Sequence, residues 1–257
     1  MPIAFQSATT ATGNNGGNNA ATVTINVPAG TVNGDMLILG VVVSEAAGVA
    51  PTCAGWTQKA THNGVQDGAG PPPYDADLTT TLFYRRASSE PASYNVLTDG
   101  TYGNYAALAM LRYTGVISAG DPFRTSATVS RTNANPFSAS QTSATLSGVQ
   151  ATDMALHLSG TAMGGWNTNA YDLAGPGGGW TERGEVYMTT NSTGKPAVLF
   201  LEQLGTGTAP VITGTGTAVT ASNVYWVFAA GALMAEPVAA AKNARVTTTA
   251  VRRASTW

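Results

Sequence analysis

Thr22-Val23-Thr24-Ile25-Asn26-Val27 alternates polar with apolar residues and stops at Pro28-Ala29-Gly30; after the turn Asn33-Gly34-Asp35 comes Met36-Leu37-Ile38-Leu39-Gly40-Val41-Val42-Val43. The first stretch has the period of two of a strand with one face in solvent, and the second is a buried apolar run of strand length. Working outward, residues 56–60, 79–86, 94–97 and 105–113 continue in the same vocabulary of β-branched and aromatic residues, punctuated by Gly, Pro, Asn and Asp. That pattern predicts strands. No segment up to residue 235 carries a capped stripe at helical spacing. The expected class is all-β, a jelly-roll-like antiparallel β-sandwich.

An internal repeat organises these strands. Phe5-Gln6-Ser7-Ala8-Thr9 is echoed by Phe123-Arg124-Thr125-Ser126-Ala127-Thr128, residues 21–27 by 142–149, and Gly34-Asp35-Met36-Leu37 by Thr152-Asp153-Met154-Ala155. Gly55-Trp56-Thr57 returns as Gly179-Trp180-Thr181, 81–85 as 197–201, 90–94 as 208–212, and 105–113 as 224–233. The same order seven times over predicts a first sandwich repeat at 1–118, a second at 119–235 packed on it, and a C-terminal extension at 236–257. Whether the repeats build one sandwich or two is open at this level.

The chain has 257 residues, of which only 10% are charged, with 12 Lys and Arg against 14 Asp and Glu. A net charge of −2 offers no general attraction for a polyanion, so nucleic acid is not an expected partner. The 43% hydrophobic content is too high for a disordered chain. The longest apolar run, about residues 224–235, is shorter than the roughly 20 residues a helix needs to cross a bilayer, so no membrane partner is expected. The opening Met1-Pro2-Ile3-Ala4-Phe5-Gln6 lacks the basic and apolar regions of a secretory signal, which predicts a cytoplasmic chain or one released without a cleaved leader. Cys53 is the single cysteine, so no intrachain disulfide or Cys-based zinc site is possible. A Thr, Ala, Gly and Asn surface stays soluble without charge and packs against a neighbour with little charge to desolvate.

The charge is unevenly placed. Lys242, Arg245, Arg252 and Arg253 stand against Glu236 in the extension, a net +3, so residues 1–235 carry −5. Pro237 stops the last strand. A basic arm ending in Trp257 reads as a docking peptide for an acidic groove on another subunit.

Catalytic sets are weak. His157 lies on a strand pattern and His62 in a loop before Asn63-Gly64, and no nucleophile elbow accompanies the serines. Glu182, Glu185 and Glu202 are the carboxylates a glycosidase would need, yet Glu182 and Glu185 face Gln58 and Thr61 in the repeat and so sit where surface strand positions fall. Asp67, Asp75 and Asp77 share one loop and could contribute calcium oxygens, but without EF-hand spacing a solvated acidic loop is the plainer reading. No metal or other cofactor is expected. In the Gly/Asn-rich segments, Trp166 and Tyr171 are candidates for stacking on a sugar ring of a host-surface glycan.

Val27-Pro28-Ala29-Gly30-Thr31-Val32-Asn33-Gly34-Asp35-Met36-Leu37, Ala54-Gly55-Trp56-Thr57, Leu82-Phe83-Tyr84-Arg85-Arg86-Ala87, Glu90-Pro91-Ala92-Ser93-Tyr94 and Leu111-Arg112-Tyr113-Thr114-Gly115-Val116 together resemble the β-sandwich virion proteins of tailed bacteriophages and prophages, of the minor tail or head-decoration type. The resemblance spans most of residues 3–235 and brings no catalytic residues. It implies a non-enzymatic structural protein, assembled in the host cytoplasm into the virion, oligomeric there, with capsid or tail subunits as partners. The alternatives are a lectin-like carbohydrate-binding module and a virion-associated glycan hydrolase.

Overall fold

The computed structural model describes residues 1–14, 21–45, 50–64, 77–98, 105–133, 138–163, 171–187, 196–216 and 224–237. The first series of strands is β1 (Ala4–Asn14), β2 (Ala21–Asn26), β3 (Met36–Glu45), β4 (Thr52–Cys53), β5 (Thr57–Gly64), β6 (Asp77–Arg86), β7 (Ser93–Thr98) and β8 (Tyr105–Thr114). The second is β9 (Phe123–Asn133), β10 (Ser138–Thr142), β11 (Met154–Met163), β12 (Tyr171–Ala174), β13 (Thr181–Tyr187), β14 (Pro196–Leu204), β15 (Val211–Gly216) and β16 (Val224–Leu233). The fold is all-β and antiparallel. Among the described residues no helix is long and apolar enough to cross a membrane.

The first series makes a five-stranded sheet, β1-β8-β3-β6-β5, and a three-stranded one, β2-β7-β4; the second makes β9-β16-β11-β14-β13 and β10-β15-β12. Adding eight to each strand number converts one pair of sheets into the other. The sheets stack as three, five, five and three strands. The two five-stranded sheets share a central core, with Met36, Ile38, Leu82 and Tyr113 from one and Leu156, Leu158, Phe200 and Val227 from the other. Each three-stranded sheet closes the far side of its own series. Val23, Ile25 and Val96 cover Leu37, Leu39 and Val41 in the first. Leu173 and Ile212 cover Leu199, Leu201 and Phe228 in the second. Each series is thus a sandwich, and the two sandwiches meet through their larger sheets.

This layering accounts for the apolar run at 36–43. Even-numbered residues of β3 enter the central core and odd-numbered ones the outer core, so neither face meets water. Close contact between the inner sheets also demands missing side chains. A Cβ on Gly40 would overlap the Phe200 ring, and one on Gly160 would lie 2.6 Å from Val42 Cγ2.

Two local differences from the sequence reading have simple causes. The strand in the place of β2 is β10 at Ser138–Thr142, rather than residues 142–149. Ala144 and Leu146 do alternate into the core, but Ser143 N–H donates to Pro210 O and Leu146 N–H to Gly207 O. Pro210 has no N–H to return, and no ladder forms there. The two-residue strand β4 is too short to leave a periodic signal.

Candidate functional site

The strands define two ends. Asn14, Tyr105 and Ser44 are neighbours across β1, β8 and β3, while Phe5, Tyr113, Met36 and Arg86 are neighbours at the opposite limit of the same sheet. In the second series Asn133, Val224 and Met163 mark the first limit, and Phe123, Leu233, Met154 and Leu204 the other. Tyr113 meets Glu202 and Val116 bridges Ala235, so the two series share one orientation.

Met1 and Glu236 meet at the second limit, the terminal end. Met1 N donates to Glu236 O at 3.3 Å, and Glu236 N–H to Gly115 O at 2.8 Å. Ile117 N–H donates to Met234 O at 3.0 Å and Ser118 Oγ to Glu236 Oε1 at 3.2 Å. Arg86 donates to Ile117 O and to Gly34 O. The N-terminus, the crossover between the series and the residue from which the arm departs are therefore tied into one structure.

Four ion pairs at this end repeat in kind between the two series. Asp35 accepts from Val32 N–H at 2.9 Å and Asp153 from Gln150 N–H at 2.9 Å, each closing the turn before a central strand. Their cationic partners come from different strands. Arg112 on β8 reaches Asp35 at 2.6 Å, whereas Arg124, the extra residue in the β9 bulge, reaches Asp153 at 2.5 Å. Lys59 and Arg183 are the extra residues in matching bulges of β5 and β13. Lys59 lies over the Phe123 ring and pairs with Asp121 at 2.6 Å. Arg183 lies over Phe5 and donates to Glu202 at 2.6 Å. Each cation thus reaches across to an aromatic ring of the other series.

Of the residues that the sequence singled out, Lys242, Arg245, Arg252, Arg253, Trp257, Trp166, Asp67 and Asp75 lie outside the described residues. Tyr171 opens β12 opposite Gly216, and Asp77 opens β6 opposite Glu45, both at the limit away from the termini. Among the described residues no group of three or more His, Cys, Asp or Glu could hold a metal ion.

The groups with catalytic potential have structural surroundings. His157 is buried, its Nδ1 is 2.8 Å from Ser143 Oγ, and its ring stands edge-on to Trp180. Burial lowers its pKa to about 3, so the imidazole is neutral. Cys53 is buried, and desolvation pushes its thiol up to about 11 despite the nearby Arg85. Glu202 is buried and accepts from both Tyr113 and Arg183. Glu185 Oε1 accepts from Leu173 N–H, and Glu182 is exposed. The Tyr113–Glu202–Arg183 group escaped sequence reading, although the unequal side chains at matching positions of β6 and β14, Tyr84 and Glu202, were a usable signal.

No protein-family model, curated protein or solved structure matches the chain.

Proposed function

We propose that this chain is a non-enzymatic structural subunit of a tailed-phage virion, a head decoration or spike or a tail-associated piece, anchored to neighbouring subunits by its basic arm. The observation that carries this reading is the separation of the two ends. Residue 236, where the arm departs, is bonded to the N-terminus and the crossover at the terminal end. Tyr171 and the strand ends that flank the Gly/Asn-rich segments stand at the other. Attachment at one end and Gly/Asn-rich connections at the other suit a subunit mounted on a particle, with those connections turned to the host surface and its glycans. The low charge of the chain favours close packing beside other subunits. The engagement of Glu202 in a buried structural group favours a role in folding over glycan hydrolysis for that residue.

The two strand series are copies of one duplicated unit, about 1–118 and 119–235. Their common strand order, the bulges at Gln6 and Arg124 and at Lys59 and Arg183, and the Asp35 and Asp153 turns support this.

The test is incorporation into particles of the phage that encodes the chain. Tagged full-length protein should co-purify with density-banded virions, and a chain ending at Ala235 should not. Full-length protein missing from the particle band would overturn the virion reading. A truncated chain that bands as well as the full one would overturn the arm as anchor.

A further inference from the structure

The joint between the two five-stranded sheets has a second polar feature besides Tyr113 and Glu202, and it lies toward the end away from the termini. On β3 the residues facing the joint run Met36, Ile38, Gly40, Val42 and then Ser44; on β6 they are Leu82, Thr80 and Leu78; on β5 they are Ala60 and His62. Register places Thr80 between Val42 and His62, with Ser44 one step further along β3, so Thr80 has His62 beside it on β5 and Ser44 diagonal to it on β3, all on one face of the sheet. Thr80 and Ser44 are fully buried. Ser44 Oγ, Thr80 Oγ1 and His62 Nε2 are all buried atoms without a hydrogen-bond partner among the described residues. At the matching positions of β11, β14 and β13 the second series has Ala162, Val198 and Val186. The fold therefore accepts apolar side chains at these positions, and the polar set belongs to one series alone.

Buried polar groups in native proteins find partners, and Thr80, flanked by His62 and diagonally by Ser44, stands among enough polar groups for the two to four contacts that an internal water requires. We infer that His62, Thr80 and Ser44 form an internal hydration site, holding one ordered water at the joint between the two sandwiches. The chemistry suits water better than a cation, because two hydroxyls and one imidazole bring no carboxylate or thiolate. Burial lowers the His62 pKa, and the neutral ring offers Nε2 as either donor or acceptor to the water, with each hydroxyl free to take the complementary part. This inference does not depend on the virion reading.

The test is a high-resolution crystal structure of the full chain, with the triple variant Ser44→Ala, Thr80→Val, His62→Val as its control. The expected map has one water peak within hydrogen-bond distance of at least two of the three atoms, absent from the variant. A dry site, direct pairing among the three side chains, or a peak that refines as a metal ion would each overturn the inference. So would a water that persists in the variant. If the variant does not fold, the native map alone decides.

Discussion

The Tyr113 hydroxyl on β8 donates to Glu202 Oε2 on β14 at 2.6 Å, joining the two strand series inside their shared core. Arg183 takes the other carboxylate oxygen at 2.6 Å. Burial and the adjacent Glu202 charge hold the Tyr113 phenol well above its usual pKa, so it remains a donor. Tyr113→Phe removes that donor and leaves a buried carboxylate oxygen unmatched, which should cost roughly 1–3 kcal/mol. Urea unfolding measures the loss, and the same change in a Glu202→Gln background should cost less. Equal losses in both backgrounds would mean that the hydroxyl is not coupled to the carboxylate.

His157 should make the fold acid-sensitive. Its folded pKa of about 3 lies below the ordinary 6.5, so the unfolded chain binds a proton more readily than the folded one. The stabilisation is complete above pH 6.5 and drains away as the pH falls toward 3, reaching about 4 kcal/mol. Other groups titrate in the same window, so the informative quantity is the difference from a variant. His157→Leu with Ser143→Ala, where Leu is the residue at the matching position 39, should show a flatter fall in stability between pH 6.5 and 3. Parallel curves for the two proteins would exclude His157 as the source.

The Gly40 and Gly160 positions should not tolerate a methyl group. A side chain on Gly40 meets the Phe200 ring and Leu158, and one on Gly160 meets Val42 and Val227. Each Gly→Ala change overpacks the joint and should cost roughly 1–3 kcal/mol, read as a lower melting temperature. Unchanged melting would show that the inner sheets can separate slightly at no cost.

Cys53 should be nearly inert in the folded protein. It is buried, and its thiol pKa of about 11 leaves little thiolate at neutral pH. Alkylation by iodoacetamide at pH 7 should be slow in the native chain and fast in denaturant. Rapid labelling of the native chain would show that the β4 region opens readily.

Much of the fold can be read along the chain because strand periodicity and turn chemistry are local. The run at 36–43, the turn closed by Asp35 and the strand at 105–113 all stand where the sequence puts them. The candidate site was less accessible. Its arm and its aromatic loop were marked by composition, a net charge and a Trp, which identify a segment without placing its partner. Residues 143–149 show the limit of periodicity itself, since their alternation falls on a connection that meets Pro210, which has no N–H to continue the ladder.

Amino-acid order alone determined that the chain is all-β and that positive charge gathers after residue 235. Only the tertiary structure decided that the two large sheets meet, that Asp35 takes an Arg from β8 while Asp153 takes one from β9, and that Glu202 is buried. The physical reason is range. Alternation and turn geometry act over a few neighbouring residues, whereas a buried ion pair or a shared core depends on which distant side chains the packing of whole sheets brings into contact.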